Sequence, residues 1–257
     1  MMSRAKAFTL IELLVVIAVI AVLMSILVPS LGKAKQQAKD AICLSNVRQL
    51  ALAVSMYTNN SGGFFLEGLS GQTGGWAWME RLRPYYSDDE ILICPMTTKV
   101  YDHDYAAGGI EYMWNPGTVE EPLYGSYGLN GWLSNPERGQ DKVFGRSAEN
   151  NWRTLVVKGA ADIPLIAGCG IWDGWPLQTD EPPEYEKRPV EHGVLNSEMR
   201  RFCLNRHNGA VSGAFVDFSA RRIGLKELWV LKWHRNYDTG GLLPDWPDWM
   251  RDFEEPY

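Results

Sequence analysis

Residues 8–28, from Phe8 to Val28, form one nearly unbroken apolar run with a single acid, Glu12, close to its start. A helix of about 21 residues rises ~31 Å, enough to cross the ~30 Å hydrocarbon core of a bilayer. A carboxylate at membrane depth costs about 2.5–3.5 kcal/mol on insertion scales. An ordinary anchor would not carry one, so Glu12 is expected to meet a positive partner. Arg4 and Lys6 precede the run, and Lys33, Lys35 and Lys39 follow it. Basic flanks on both sides leave its orientation open. The run is too long for a cleaved secretory signal, and Pro29-Ser30-Leu31-Gly32 is a poor small-residue cleavage site.

Roughly 200 residues lie beyond the run, enough for one or two packed domains. The 257-residue chain is 46% hydrophobic and 22% charged, a balance that folds rather than staying disordered. Its net charge of −6 argues against a nucleic-acid partner, since phosphate binding needs clustered Lys and Arg. All 11 Trp lie beyond residue 75, so a Trp-free rod precedes a Trp-rich globule. The four cysteines, Cys43, Cys94, Cys169 and Cys203, contain no CxxC, which speaks against a zinc knuckle or a thioredoxin-type motif. They allow three complete pairings, and the sequence does not choose among them or against free thiols.

Helical periodicity continues through residues 30–58. Leu31, Ala34, Ala38, Ala41/Ile42, Val47, Leu50 and Val54 recur at three-to-four spacing, and Asn59-Asn60-Ser61-Gly62-Gly63 supplies a stop. Run and stripe together predict one helix of about 50 residues, ~75 Å long, bent at Pro29. Residues 64–150 read as long loops with a short helix at 78–83. Residues 154–157 read as a helix end or strand, 163–167 as a strand, and 173–198 as an exposed loop. Further strands are expected at 199–204, 211–216 and 220–223, the last two joined by a short turn at Asp217-Phe218-Ser219. Residues 224–235 are expected to form a helix with Leu225, Leu228, Trp229 and Lys232/Trp233 on its packed face.

Signs of catalysis are sparse. The sequence has four histidines and neither G-x-S-x-G nor H-E-x-x-H, so it carries no enzyme signature. Asp102-His103-Asp104 suggests metal no more strongly than it suggests a polar loop, and His192 and His234 lack ligand patterns. The tryptophans allow a sugar-stacking surface but serve more often as core.

Lys6-Ala7-Phe8-Thr9-Leu10-Ile11-Glu12-Leu13 resembles the class III signal of type IV pilins and type II secretion pseudopilins. The resemblance implies cleavage by a prepilin peptidase between Ala7 and Phe8 and methylation of the new Phe8 amine. The family usually has Gly where this chain has Ala7, a residue small enough for processing to be expected. Glu12 becomes the fifth residue of the mature chain, the family's acidic position. Its partner would be the Phe8 amine of a neighbouring subunit, a pairing that sets axial register in a filament. Pro29 becomes the twenty-second residue, where the family often has a helix-kinking proline. Loss of the leader would take the side-chain charge from −6 to −8.

Ser45–Ala53, Met56-Tyr57 with the following Asn60–Gly63, Ile93-Cys94-Pro95 and Gly125–Trp132 are similar to segments of planctomycete-type pseudopilins. That likeness implies a Cys43–Cys94 bridge tying the helix to the globule. Arg206–Ile223 resembles the family's H-X9-DG element, with His207 and Asp217 at its ends and Phe218 in place of the Gly. His207 and Asp217 read either as a catalytic or metal pair or as loop and turn residues, and the second reading needs no further ligand. Some major pseudopilins bind calcium in a C-terminal loop. Asp238, Asp245, Asp248 and Asp252 offer oxygens here, without EF-hand spacing.

The resemblance and the patterning together predict an α+β, pilin-like fold. A long N-terminal transmembrane-to-periplasmic helix would pack on a small antiparallel sheet with long loops. The expected divisions are a cleaved leader (1–7), a transmembrane and assembly helix (8–28), its periplasmic amphipathic continuation (29–60) and a globular domain (61–257). The implied function is structural: a pseudopilin subunit of a type II secretion pseudopilus or related filament. It would be single-pass in the bacterial inner membrane with its globule in the periplasm, its partners the prepilin peptidase and other pseudopilin subunits. No cofactor and no enzymatic activity are expected. The alternative is a membrane-tethered periplasmic binding protein, for carbohydrate for example, that uses a pilin-type export signal.

Overall fold

The computed structural model describes residues 10–66, 77–101, 103, 106–118, 120–186 and 197–256. It divides into two compact units, Met1–Asp40 and Ala41–Tyr257. The first is helical throughout its described part. Helix α1, Leu10–Asn60, begins here and continues through Pro29 into the second unit. Its apolar residues from Leu10 to Val28 face outward all round, and Leu10, Ile17 and Val28 are 74%, 52% and 66% exposed. Mean hydropathy reaches 3.1 over the most apolar window, so the helix is long and apolar enough to cross a membrane. Its hydroxyls are satisfied locally. Ser25 Oγ donates to the Val22 carbonyl and Ser30 Oγ to the Leu27 carbonyl, at 2.7 and 2.8 Å. Pro29 has no amide to give the carbonyl one turn earlier.

In the second unit the last part of α1 is half buried. Cys43, Val47, Leu50, Ala51, Val54 and Thr58 face the core at three-to-four spacing, while Ile42 is 49% exposed. The expected stripe therefore holds at Val47, Leu50 and Val54, but Cys43 rather than Ile42 continues it. The helix ends where the sequence predicts. Gly62 is left-handed (φ +66°), and the Gly63 amide returns to the Thr58 carbonyl at 2.8 Å, a glycine-terminated closure. The short helix α2 covers Ala77–Leu82.

The strands follow in chain order: β1 (Tyr127–Asn130), β2 (Lys142–Val143), β3 (Arg146–Ser147), β4 (Pro164–Gly168), β5 (Asp173–Gly174), β6 (Ala210–Phe215) and β7 (Ala220–Gly224). The main sheet has the order β5-β1-β4-β6-β7, antiparallel except for the parallel β1–β5 pair. β2 and β3 form a separate two-stranded ribbon. The fold is thus α+β and pilin-like, with a long apolar N-terminal helix, a mostly antiparallel sheet and few other helices.

Four local expectations fail, each for a packing reason. Residues 199–204 are not a strand, because Glu198–Arg201 form a 3-10 turn. Met199, Arg201, Phe202, Cys203 and Leu204 are all buried, so no alternation of a half-buried strand is present. Residues 224–235 are not a helix either, and only Glu227–Trp229 make a 3-10 turn. Leu225, Lys226, Leu228, Trp229, Leu231, Trp233 and His234 are all buried, and no single helix face could bury them all. The 64–150 stretch contains a central strand, β1, that the loop reading omits. The start of the 173–198 stretch is interior rather than exposed: Asp173, Trp175 and Asp180 are buried. Residues 187–196 of that stretch lie outside the described residues.

Tryptophan builds much of the core. Trp78, Trp114, Trp132, Trp152, Trp172, Trp175, Trp229 and Trp233 are buried, and Trp246 and Trp249 are partly buried. Asn130, in the segment singled out by sequence, is a buried hub. Its Nδ2 donates to the Pro164 and Trp233 carbonyls, both at 2.9 Å, and its Oδ1 accepts the Trp132 amide at 3.1 Å. That segment ties β1 to β4 and to the 224–235 region, which is a structural task.

Candidate functional site

The N-terminal site has one described half. Ala7 and Phe8 lie outside the described residues. Glu12 stands on the first turn of α1, exposed, among exposed Leu10, Ile11, Leu13 and Leu14.

His207 and Asp217 do not form a pair. They flank the six-residue strand β6, about 20 Å of chain. Asp217 works in the β6–β7 turn, where its Oδ1 accepts the Ser219 amide at 2.9 Å and the Ser219 hydroxyl at 2.6 Å. Phe215 N donates to the Ser219 carbonyl and Phe218 N to the Phe215 carbonyl, both at 2.9 Å. Phe218 takes φ +64°, the left-handed conformation natural to the Gly it replaces. The turn survives that replacement, with the strain carried by a phenylalanine.

His207 is buried beside the two cysteines that the family likeness brings together. The Cys43 and Cys94 sulfurs are 2.7 Å apart, and His207 Nε2 lies 3.5 Å from Cys94 Sγ. Helix α1 supplies Cys43, the segment after the Asp89–Leu92 turn supplies Cys94, and the approach to β6 supplies His207. Beside them Arg206 is fully buried. It donates to the carbonyls of Gly109 (2.6 and 3.1 Å), Cys169 (3.0 Å) and Ser126. Hydrogen bonding from Cys43, then from His207, and the charge of Arg206 draw the Cys94 thiol well below its ordinary value. The Cys43 thiol is pushed up, chiefly by its bond to Cys94 and by burial. Sequence reasoning missed this triad because residues 43, 94 and 207 share no local motif.

The three donor atoms lie within 4.8 Å of one another. They do not fit zinc. Two thiolates on one tetrahedral zinc would stand ~3.8 Å apart, and a buried guanidinium opposes a dication. The four C-terminal aspartates are dispersed. Asp238 accepts the Gly240 amide at 3.1 Å, Asp248 pairs with Arg251 at 2.7 Å, and no three of the four converge among the described residues. Asp102, Asp104 and His192 lie outside the described residues. A groove of about 620 Å³ beside the start of β6 is lined by Asn208, Arg222, Glu227, Asp252, Phe253 and Glu255, among others. Its charged lining is four carboxylates and Arg222.

The comparisons bear on the N-terminal site. The family profile "Prokaryotic N-terminal methylation motif" matches residues 2–28. The type IV wide pilus major component PilA4 of Thermus thermophilus is 44% identical over 62 residues, which are 23% of this chain and 47% of that protein. The chain thus spans about half the length of the curated relative it matches. No solved structure matches the chain significantly. Residues 2–28 carry the prokaryotic N-terminal methylation motif, and over 62 residues the chain is similar to a type IV pilin.

Proposed function

We propose that this chain is a pilin-like filament subunit, a pseudopilin of a type II secretion pseudopilus or of a related type IV pilus-like filament. One observation carries the reading. The methylation motif includes an apolar stretch of α1, residues 10–28, that is exposed all round and bears a single carboxylate, Glu12. Exposed apolar surface on that scale marks a lipid or protein contact. A carboxylate within it supports pairing with the freed amine of another subunit. In this reading a prepilin peptidase cuts between Ala7 and Phe8 and methylates Phe8. The helix then rests in the inner membrane, with the globule in the periplasm, until it is drawn into a filament.

The activity is assembly rather than catalysis. The globule supports that reading, because eight of its described tryptophans are buried in the core and two pack partly buried against it, and its singled-out motifs make turns and hubs. N-terminal sequencing and mass spectrometry of membrane-extracted protein test the proposal. A methylated Phe8 start is the expected result, and an intact Met1 would sink it. Glu12→Ala should leave membrane insertion intact and cut filament incorporation by tenfold or more. Undiminished incorporation would refute the register role.

A further inference from the structure

Filament assembly makes no use of the buried sulfur pair. Cys43 and Cys94 lie 51 positions apart in sequence, and both are buried with their sulfurs 2.7 Å apart. The titratable and charged groups around them are Arg206, His207 and the Tyr127 hydroxyl. That hydroxyl is engaged with the Cys43 sulfur. Among the described residues no carboxylate pairs with Arg206, whose guanidinium donates to backbone carbonyls. A negative sulfur is therefore the natural counter-charge for its guanidinium.

We propose that Cys43 and Cys94 close reversibly into a disulfide, a redox clasp between helix α1 and the globule that Arg206 and His207 hold close to its opening point. Closing breaks the Cys43 S–H bond and forms one S–S bond between that sulfur and the Cys94 thiolate. Two electrons, the Cys43 proton and one proton from solvent pass to an external disulfide, which becomes two thiols. Opening reverses this with two external thiols. In the open state the Cys94 sulfur keeps a negative charge beside Arg206 and accepts a hydrogen bond from His207. In the closed state it is neutral, and that stabilisation is lost. A neighbourhood that favours the thiolate makes a disulfide easier to reduce, and the downward direction for Cys94 agrees. Burial of both sulfurs makes exchange slow, so equilibrium is the proper readout. The clasp draws on the proposed filament role only for its oxidising compartment. Its chemistry is testable apart from cleavage or assembly.

Full-length, detergent-solubilised protein is equilibrated with mixtures of reduced and oxidised glutathione, trapped with a maleimide and mapped by peptide mass. The expected product is a linked Cys43–Cys94 peptide. One proton is released per bond opened when Cys94 remains a thiolate, so the reduction constant should rise about tenfold per pH unit between about pH 5 and 7. His207→Gln should make the pair harder to reduce, by about threefold or more. Should that variant fail to fold, the pH slope of the unaltered protein decides alone. A pH-independent constant, the absence of the linked peptide at every ratio, or bound zinc with both thiols reduced would each overturn the proposal.

Discussion

Asp173 opens β5 with its carboxyl in the interior, its side chain 5% exposed. Its Oδ1 lies 3.6 Å from Arg201 Nη1, and its Oδ2 has no hydrogen-bond partner among the described residues. Arg201 is shared with Glu198 at 3.3 Å, and Glu198 is also engaged by Arg146. Burial pushes the Asp173 carboxyl from 3.8 up to about 6, although Arg201 and Arg146 both pull it down. Between those two values the native state keeps a proton that the unfolded chain has released. Stability therefore falls as pH rises through this window, and the contribution present below about pH 4 is gone above about pH 6. About two units at ~1.4 kcal/mol each amount to ~3 kcal/mol. Asp173→Asn removes this titration and keeps the shape. Urea unfolding of the detergent-solubilised full chain, for both proteins from about pH 4 to 7, reads it out. The variant's stability minus that of the unaltered protein should grow by ~3 kcal/mol across the range. The pH-independent part of that difference reports only how well Asn packs, so its change with pH is the readout. A flat difference would show Asp173 ionised throughout, the two arginines outweighing burial, and the reasoning would fail.

Three further outcomes follow from the same geometry. Gly131→Ala would place a Cβ 2.3 Å from the buried Trp175 indole, an overpacking expected to cost about 1–3 kcal/mol and to appear as a fall in melting temperature; an unchanged transition would count against this packing. His234 is buried between Trp132 and Tyr237 with neither ring nitrogen hydrogen-bonded. Burial, then Lys232, lowers it from 6.5 to about 4, so its share of stability is present above 6.5 and drains away as pH falls towards about 4. His234→Phe should flatten acid unfolding in that window when followed by tryptophan fluorescence. Asp217→Ala removes both turn bonds to Ser219 and should cost ~1 kcal/mol in denaturant unfolding, without moving the glutathione equilibrium of the cysteine pair.

Legibility in the sequence followed the range of the interactions involved. The helix from Leu10 to Asn60, its glycine stop, α2, β4, β6 and β7 rest on periodicity and on local turn chemistry, and each stands within a few residues of its expected bounds. β1 was hidden because it is buried on both faces and so has no alternation to read. Gly128 within it is a poor strand former, yet a Cβ there would lie 2.7 Å from Cys169 Sγ. The 199–204 and 224–235 segments were misread because their burial is set by neighbours on every side, whereas a periodic pattern assumes one buried face and one wet one. In the C-terminal element, of the two readings open for His207 and Asp217, the structure has Asp217 in the turn and does not bring the two together. Six of the nine intervening residues form β6, and a strand holds its ends apart.

The apolar run, its lone carboxylate and the motif around them needed no tertiary structure. Hydrophobic length and charge act through the chain's immediate surroundings, so a reader of residues 2–28 can infer a membrane-competent, assembly-type helix directly. The placement of His207 against Cys94, the position of Arg206 behind it and the stranding of Asp173 in the interior came only from the folded globule. Cys94 and His207 stand 113 positions apart and meet only through packing. Packing is decided by shape and burial from all sides at once, and no local pattern records it.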